Sequence, residues 1–108
     1  MSLLDQTQVA SIASCGAEMM KELADDFKVE FAEKTSELKI RFELGEHDKL
    51  KSVLHQIKGT SATFGMKSLG EKIAELEQRP IVGTDHDELT SLAELSFKEL
   101  NEYLESLK

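Results

Sequence analysis

Cysteine occurs once in the 108 residues, at Cys15, which excludes an intramolecular disulfide and a thiolate metal cluster and points to a reducing intracellular setting. The residue itself is expected to be core filler. Proline also occurs once, at Pro80, glycine only 6 times and tryptophan not at all, and no β-branched run alternates long enough to make a strand. Those absences leave helices. No apolar run approaches the roughly 20 residues that span a bilayer, and the opening MSLLDQTQ has neither the positive start nor the apolar centre of a secretory signal. A soluble, cytoplasmic protein that does not enter a membrane is expected. Basic residues are the minority, 13 against 21 acidic, for a formal charge of −8. Such a field repels nucleic acid and anionic membrane, although a local cationic patch stays compatible with it.

A chain of this length with 40% hydrophobic residues fits one domain over residues 1–108 with a real core. Asp5 followed by Gln8 has the form of a capping box, opening a short helix that carries Val9, Ile12 and Ala13 and ends near Gly16. The start at Met1 and this capped helix favour a free-standing protein. A second helix of about 26 to 28 residues runs to Gly45, with Met20, Leu23, Phe27, Phe31, Leu38 and Phe42 on its inner stripe. A third begins near Glu46, turns Leu50, Val53, Leu54, Ile57, Ser61 and Phe64 inward, and stops at Gly65, a residue suited to a left-handed cap. Ser68 and Glu71 form a second capping-box pattern, opening either a new helix or a kinked continuation through Ile73, Leu76 and Arg79 to Pro80. PIVGTD reads as a loop, with Thr84 or Asp85 capping the last helix. That helix turns Leu89, Leu92, Ala93, Ser96, Leu100, Tyr103 or Leu104, and Leu107 inward. One-striped helices must bury their stripes together, so the expected fold is all-α: an antiparallel four-helix bundle with the short first helix laid over one end. A monomer is expected.

At 100° per residue His55 points away from the inner stripe of the third helix and shares its outer side with Lys51, Ser52, Lys58, Gly59 and Ala62. The residues that follow it weaken the helix. Gly59 costs about 1 kcal/mol relative to alanine, and Thr60, Ser61 and Thr63 raise the sum to roughly 2 kcal/mol. A glycine beside an outward histidine makes sense where another surface must approach the helix backbone. Imidazole is partly unprotonated at neutral pH and can carry a group covalently, and Lys58 can offset the charge of a phosphoryl group on it, with weaker field from Lys51 and Lys67. No carboxylate stands at a helical spacing that would orient His55, and no glycine-rich loop could hold ATP. The chain supplies a nucleophile without the machinery for a complete reaction. His47 beside Asp48, and His86 between Asp85 and Asp87, lack any metal-ligand spacing and sit where helix caps collect polar residues, so no metal site is expected.

The string His55-Gln-Ile-Lys58-Gly59-Thr-Ser-Ala-Thr-Phe-Gly65 resembles the signature of the histidine-containing phosphotransfer (HPt) domains of multistep two-component phosphorelays. By that resemblance His55 is phosphorylated at Nε2, taking the group from a phosphoaspartate on a receiver domain of a response regulator or hybrid sensor kinase and passing it to another receiver aspartate. Lys58 resembles the family lysine that steadies the phosphoryl group, Gly59 the small residue that leaves room for it and for the partner, and Gly65 the glycine at the helix break. Lys51, Ser52, Ala62 and Lys67 are then expected to meet the partner. The family pattern has a small residue before the histidine and after the second glycine, where Leu54 and Met66 stand here. No cofactor is implied for this chain, because the divalent cation of the reaction belongs to the receiver's acidic site. The alternative is a helical adaptor that binds a receiver or partner helix without exchanging phosphate, and it would tolerate replacement of His55.

Overall fold

Leu50, Val53, Leu54, Ile57, Ser61 and Phe64 return every three or four positions, and all six are buried. A stripe of that kind is stable only against other helices. The computed structural model describes residues 3–14 and 16–107. It contains five helices: α1 (Gln6–Ala13), α2 (Ala17–Glu43), α3 (His47–Thr63), α4 (Lys67–Glu77) and α5 (Gly83–Ser106). No strand occurs among the described residues. Short turns make successive long helices antiparallel, and α2, α3, α4 and α5 close a ring in which each packs on the next and α5 returns to α2. The chain is therefore the expected all-α bundle. The expectation for Cys15 lies outside the described residues.

Four phenylalanines join α2, the end of α3 and α5. Phe27 of α2 stacks on Phe64 with centroids 5.3 Å apart and meets Phe97 of α5 at 5.4 Å and Phe31 at 5.9 Å, both edge-on. Such pairs add about 0.5–1.5 kcal/mol each beyond their buried area. Phe97 was absent from the stripe expected for α5. Leu107, expected inward, is exposed, and Leu23 of α2 is 49% exposed, because Ala24 occupies the inward position beside it.

Helix ends differ from expectation in three places. Ser68 and Glu71 do not open α4, which begins at Lys67 with buried Met66 at its N-cap and no side-chain cap. The Ser68 amide instead donates to the Leu3 carbonyl at 3.1 Å, so the N-terminal segment serves a donor that a capping box would have served. α4 also stops at Glu77, before Arg79. At α5 the capping carboxylate sits inside the helix rather than ahead of it. Asp85 accepts from the Val82 amide at 2.8 Å and forms a paired contact with Arg79 at 2.7 and 2.8 Å. Its side chain is only 3% exposed, and the Arg79 guanidinium, assisted by the Val82 amide, holds its carboxyl down at about 2 against the opposing cost of burial.

α1 is fixed over the turn between α3 and α4. Asp5 caps it by accepting from the Gln8 amide at 3.1 Å, as the capping-box spacing predicts, and the Asp5 amide donates to the Gly65 carbonyl at 2.8 Å. Gly65 has φ +67°, and a Cβ there would stand 2.7 Å from Val9 Cγ2 and 3.3 Å from the Val9 amide nitrogen. Glycine is required twice over: for the left-handed turn and for the close approach of α1.

Candidate functional site

His55 lies midway along α3, and its neighbours in the chain determine where it points. Leu54 and Ile57 are buried, each contributing roughly 2 kcal/mol on leaving water, so the rotation of the helix about its axis is set from the inside. The imidazole between them projects outward with 75% of its side chain exposed. Gly59, one turn on, is exposed, and a Cβ built on it meets no atom within 4 Å. Its own fold therefore has no steric need of a glycine at that position. The hydroxyls of Thr60, Ser61 and Thr63 each donate to the carbonyl four residues earlier, Ser61 to Ile57 at 2.7 Å, so the run of small polar residues is satisfied within the helix.

A carboxylate that local spacing could not show completes the site. Glu77, the last residue of α4, places Oε1 2.8 Å from Lys58 Nζ and Oε2 3.8 Å from His55 Nδ1. Its side chain is 18% exposed. Oε1 is buried and forms no hydrogen bond, the ammonium approaching outside hydrogen-bond angles, so the contact with Lys58 is ionic. The distance to His55 is likewise electrostatic rather than a hydrogen bond. Nδ1 is thus the ring nitrogen nearer Glu77 and Nε2 the farther one. Sequence reasoning missed Glu77 by looking for a partner on the same helix. In an antiparallel hairpin, His55 and Glu77 lie at similar distances from the turn at Gly65 and Met66 and are level across the α3–α4 seam.

The remaining predicted residues divide. Ser52 and Ala62 are exposed on the same face of α3. Lys67 is exposed at the start of α4 and, with Lys58, Ala62, Met66, Gly70 and Ala74, lines an open groove of about 540 Å³ closed at one end by Asp5 and Gln8. Its lining mixes small residues with the cations Lys58 and Lys67 and the acids Asp5 and Glu71. Lys51 is placed differently from the expectation that it meets a partner. Its side chain is half-buried, and its ammonium donates to the carbonyls of Leu76 and, at 2.7 Å, of Arg79 at the end of α4. Lys49, two residues earlier, is paired with Glu46 at 2.8 Å.

His86 has Nδ1 3.6 Å from Asp87 Oδ1 in a contact between sequence neighbours, and His47 lines an open surface pocket with Lys51, Glu77 and Arg79. Among the described residues no group of three His, Cys, Asp or Glu side chains converges as metal ligands would, and no helix is long and apolar enough to cross a membrane.

Chemically, the arrangement is an exposed nucleophilic nitrogen, a cation one turn away, open space beside both, and a carboxylate facing the rear of the imidazole. Searches of curated proteins and of solved structures found no match. The family model of the Hpt domain matches residues 22–108, a span that includes α3, α4 and the whole His55 constellation. The chain belongs to the Hpt domain family, whose members serve in histidine phosphotransfer within phosphorelays.

Proposed function

We propose that the chain is a reversible phosphoryl carrier that takes the group on Nε2 of His55 from a receiver-domain phosphoaspartate and gives it to the aspartate of another receiver. The observation that carries this reading is the orientation of His55: exposed, with Nδ1 the ring nitrogen nearer Glu77 and an unobstructed stretch of helix one turn on. In the forward step the Nε2 lone pair forms a bond to phosphorus as the bond from phosphorus to the aspartyl oxygen breaks, and the receiver's carboxylate leaves. The proton on Nδ1 stays with the ring, and Glu77 lowers the energy of the positive charge that develops there. Lys58 is positioned to exchange its contact with Glu77 for the oxygens of the incoming phosphoryl group. The receiver contributes the divalent cation and the in-line alignment, and the carrier contributes nucleophile and access. Lys67, Ser52 and Ala62 belong to the face that meets the receiver, whose acidic site is complementary to the lysines there. No cofactor is assigned to this chain.

Incubation with a panel of purified receivers charged with radiolabelled phosphate tests the reading. The expected label is acid-labile, base-stable and confined to His55, and His55→Gln removes it while leaving folding unchanged, since the side chain is exposed. Label that persists in His55→Gln would refute the assignment. A receiver that binds the wild type and His55→Gln equally, and never transfers phosphate, would establish the adaptor instead.

A further inference from the structure

We propose that Lys51 is a positioning residue for phosphoryl transfer: its ammonium ties the last turn of α4 to α3 and through that turn holds Glu77 against His55 and Lys58. This role presupposes His55 as the phosphoryl carrier.

Three observations converge on it. The two carbonyls that accept from Lys51 Nζ, those of Leu76 and Arg79, bracket Glu77 in the chain. Carbonyls at the end of a helix have no partner within it and carry the negative pole of its dipole, and α4 has no basic residue in its own last turn. The cation that serves them comes from α3, one turn before His55.

The second observation concerns how weakly the Glu77 carboxylate is fixed by its own contacts. Oε1 is buried without a hydrogen bond and Oε2 stands 3.8 Å from the imidazole. The 2.8 Å ion pair with Lys58 holds one oxygen without a hydrogen bond, so the placing of the other against His55 depends also on the backbone beneath it. Arg79 anchors the same stretch on the other side, but to Asp85 of α5, away from His55. Toward α3, Lys51 ties the backbone of this stretch while Lys58 pairs with the Glu77 side chain.

The third is register. Lys51, His55 and Lys58 follow one another along α3 at four and three residues, so Lys51 holds the backbone that bears Glu77 from one side of His55 while Lys58 holds its carboxylate from the other. Without the ammonium, the end of α4 loses its cation and its two charge-assisted bonds. The carboxylate then drifts from Nδ1, and the tautomer that keeps the proton on Nδ1 and the lone pair on Nε2 loses its electrostatic support.

The test reads the His55 tautomer by ¹⁵N nuclear magnetic resonance of the full chain, without phosphate, alongside the rate of labelling from a charged receiver. Lys51→Met keeps the aliphatic stem and removes the charge. The Nδ1–H population is expected to fall about twofold, Glu77→Gln to cause a fall of similar size, and the double variant to show no more than Glu77→Gln alone. Lys51→Arg, which keeps charge and donors, restores the wild-type population. Should Lys51→Met fail to fold, Lys51→Gln removes the same charge with less loss of packing and is expected to shift the tautomer in the same direction. An unchanged tautomer in the neutral variant, or an equal shift with and without Glu77, would overturn the positioning role, because a merely structural lysine lowers stability without acting through that carboxylate. If the tautomer responds as expected and no receiver ever labels the wild type, the geometry stands and the phosphocarrier reading falls.

Discussion

Replacing Gly59 by alanine is expected to make the protein more stable, and replacing it by glutamine to make it a slower phosphoryl acceptor. A methyl group at this position meets no atom within 4 Å, so no steric penalty offsets the gain in helix propensity. Gly59 lies well inside α3, where glycine costs about 1 kcal/mol relative to alanine, and that amount corresponds to a rise of about 4–8 °C in the unfolding midpoint of a domain of this size. Glutamine recovers about half of the same gain. Its side chain, however, fills the space beside His55 where a second protein must come within bonding distance, and a displacement of about 1 Å at the reacting atoms can slow transfer by up to about 100-fold. Urea unfolding measures the first effect, and labelling of His55 by a phosphorylated receiver measures the second, on the same preparations. Stability and transfer thus move in opposite directions. A Gly59→Ala protein less stable than wild type would contradict the open environment, and Gly59→Gln accepting phosphate within twofold of the wild-type rate would show that the gap does not serve an approaching partner.

The contact of Asp85 with Arg79 gives a pH signature: because the folded carboxyl titrates at about 2, below its ordinary value, its contribution of about 2 kcal/mol is complete above pH ~4 and lost as pH falls toward 2. The stability difference between wild type and Asp85→Asn should narrow over that interval in urea unfolding, and a constant difference would refute the assignment. Gly65→Ala should lose about 3 kcal/mol, combining left-handed strain with a Cβ 2.7 Å from buried Val9, and a loss below about 1 kcal/mol in the same assay would show that α1 yields easily.

What the sequence revealed was mostly what one helix decides for itself. The inner stripe of α3 follows from the spacing of Leu50 to Phe64, and the outward direction of His55 follows from the same arithmetic. The end of that helix was legible because a glycine at positive φ is a local requirement. Glu77 was not, since nothing in the α4 sequence marks which of its acidic residues lies opposite a histidine on another helix. Lys51 was misplaced for a related reason: a helical wheel puts it on the histidine's side, while the length of its side chain lets the ammonium reach the end of α4. The Ser68 pattern failed because the N-terminal segment reached the α4 amide first. These three misses each concern a group whose partner is distant in sequence.

The fastening of α1 bears on where this protein can be cut. The family match opens at residue 22, inside α2, whereas the carbonyl of Gly65 and the amide of Ser68 are served by Asp5 and Leu3, far upstream of that boundary. Trimming to the matched span would sever α2, strip those two backbone groups of their bonds and uncover Gly65 and Met66, both buried in the intact chain. The smallest unit that keeps the turn beyond His55 in its native shape is accordingly larger than the stretch that announces the family, and it includes a helix carrying none of the signature.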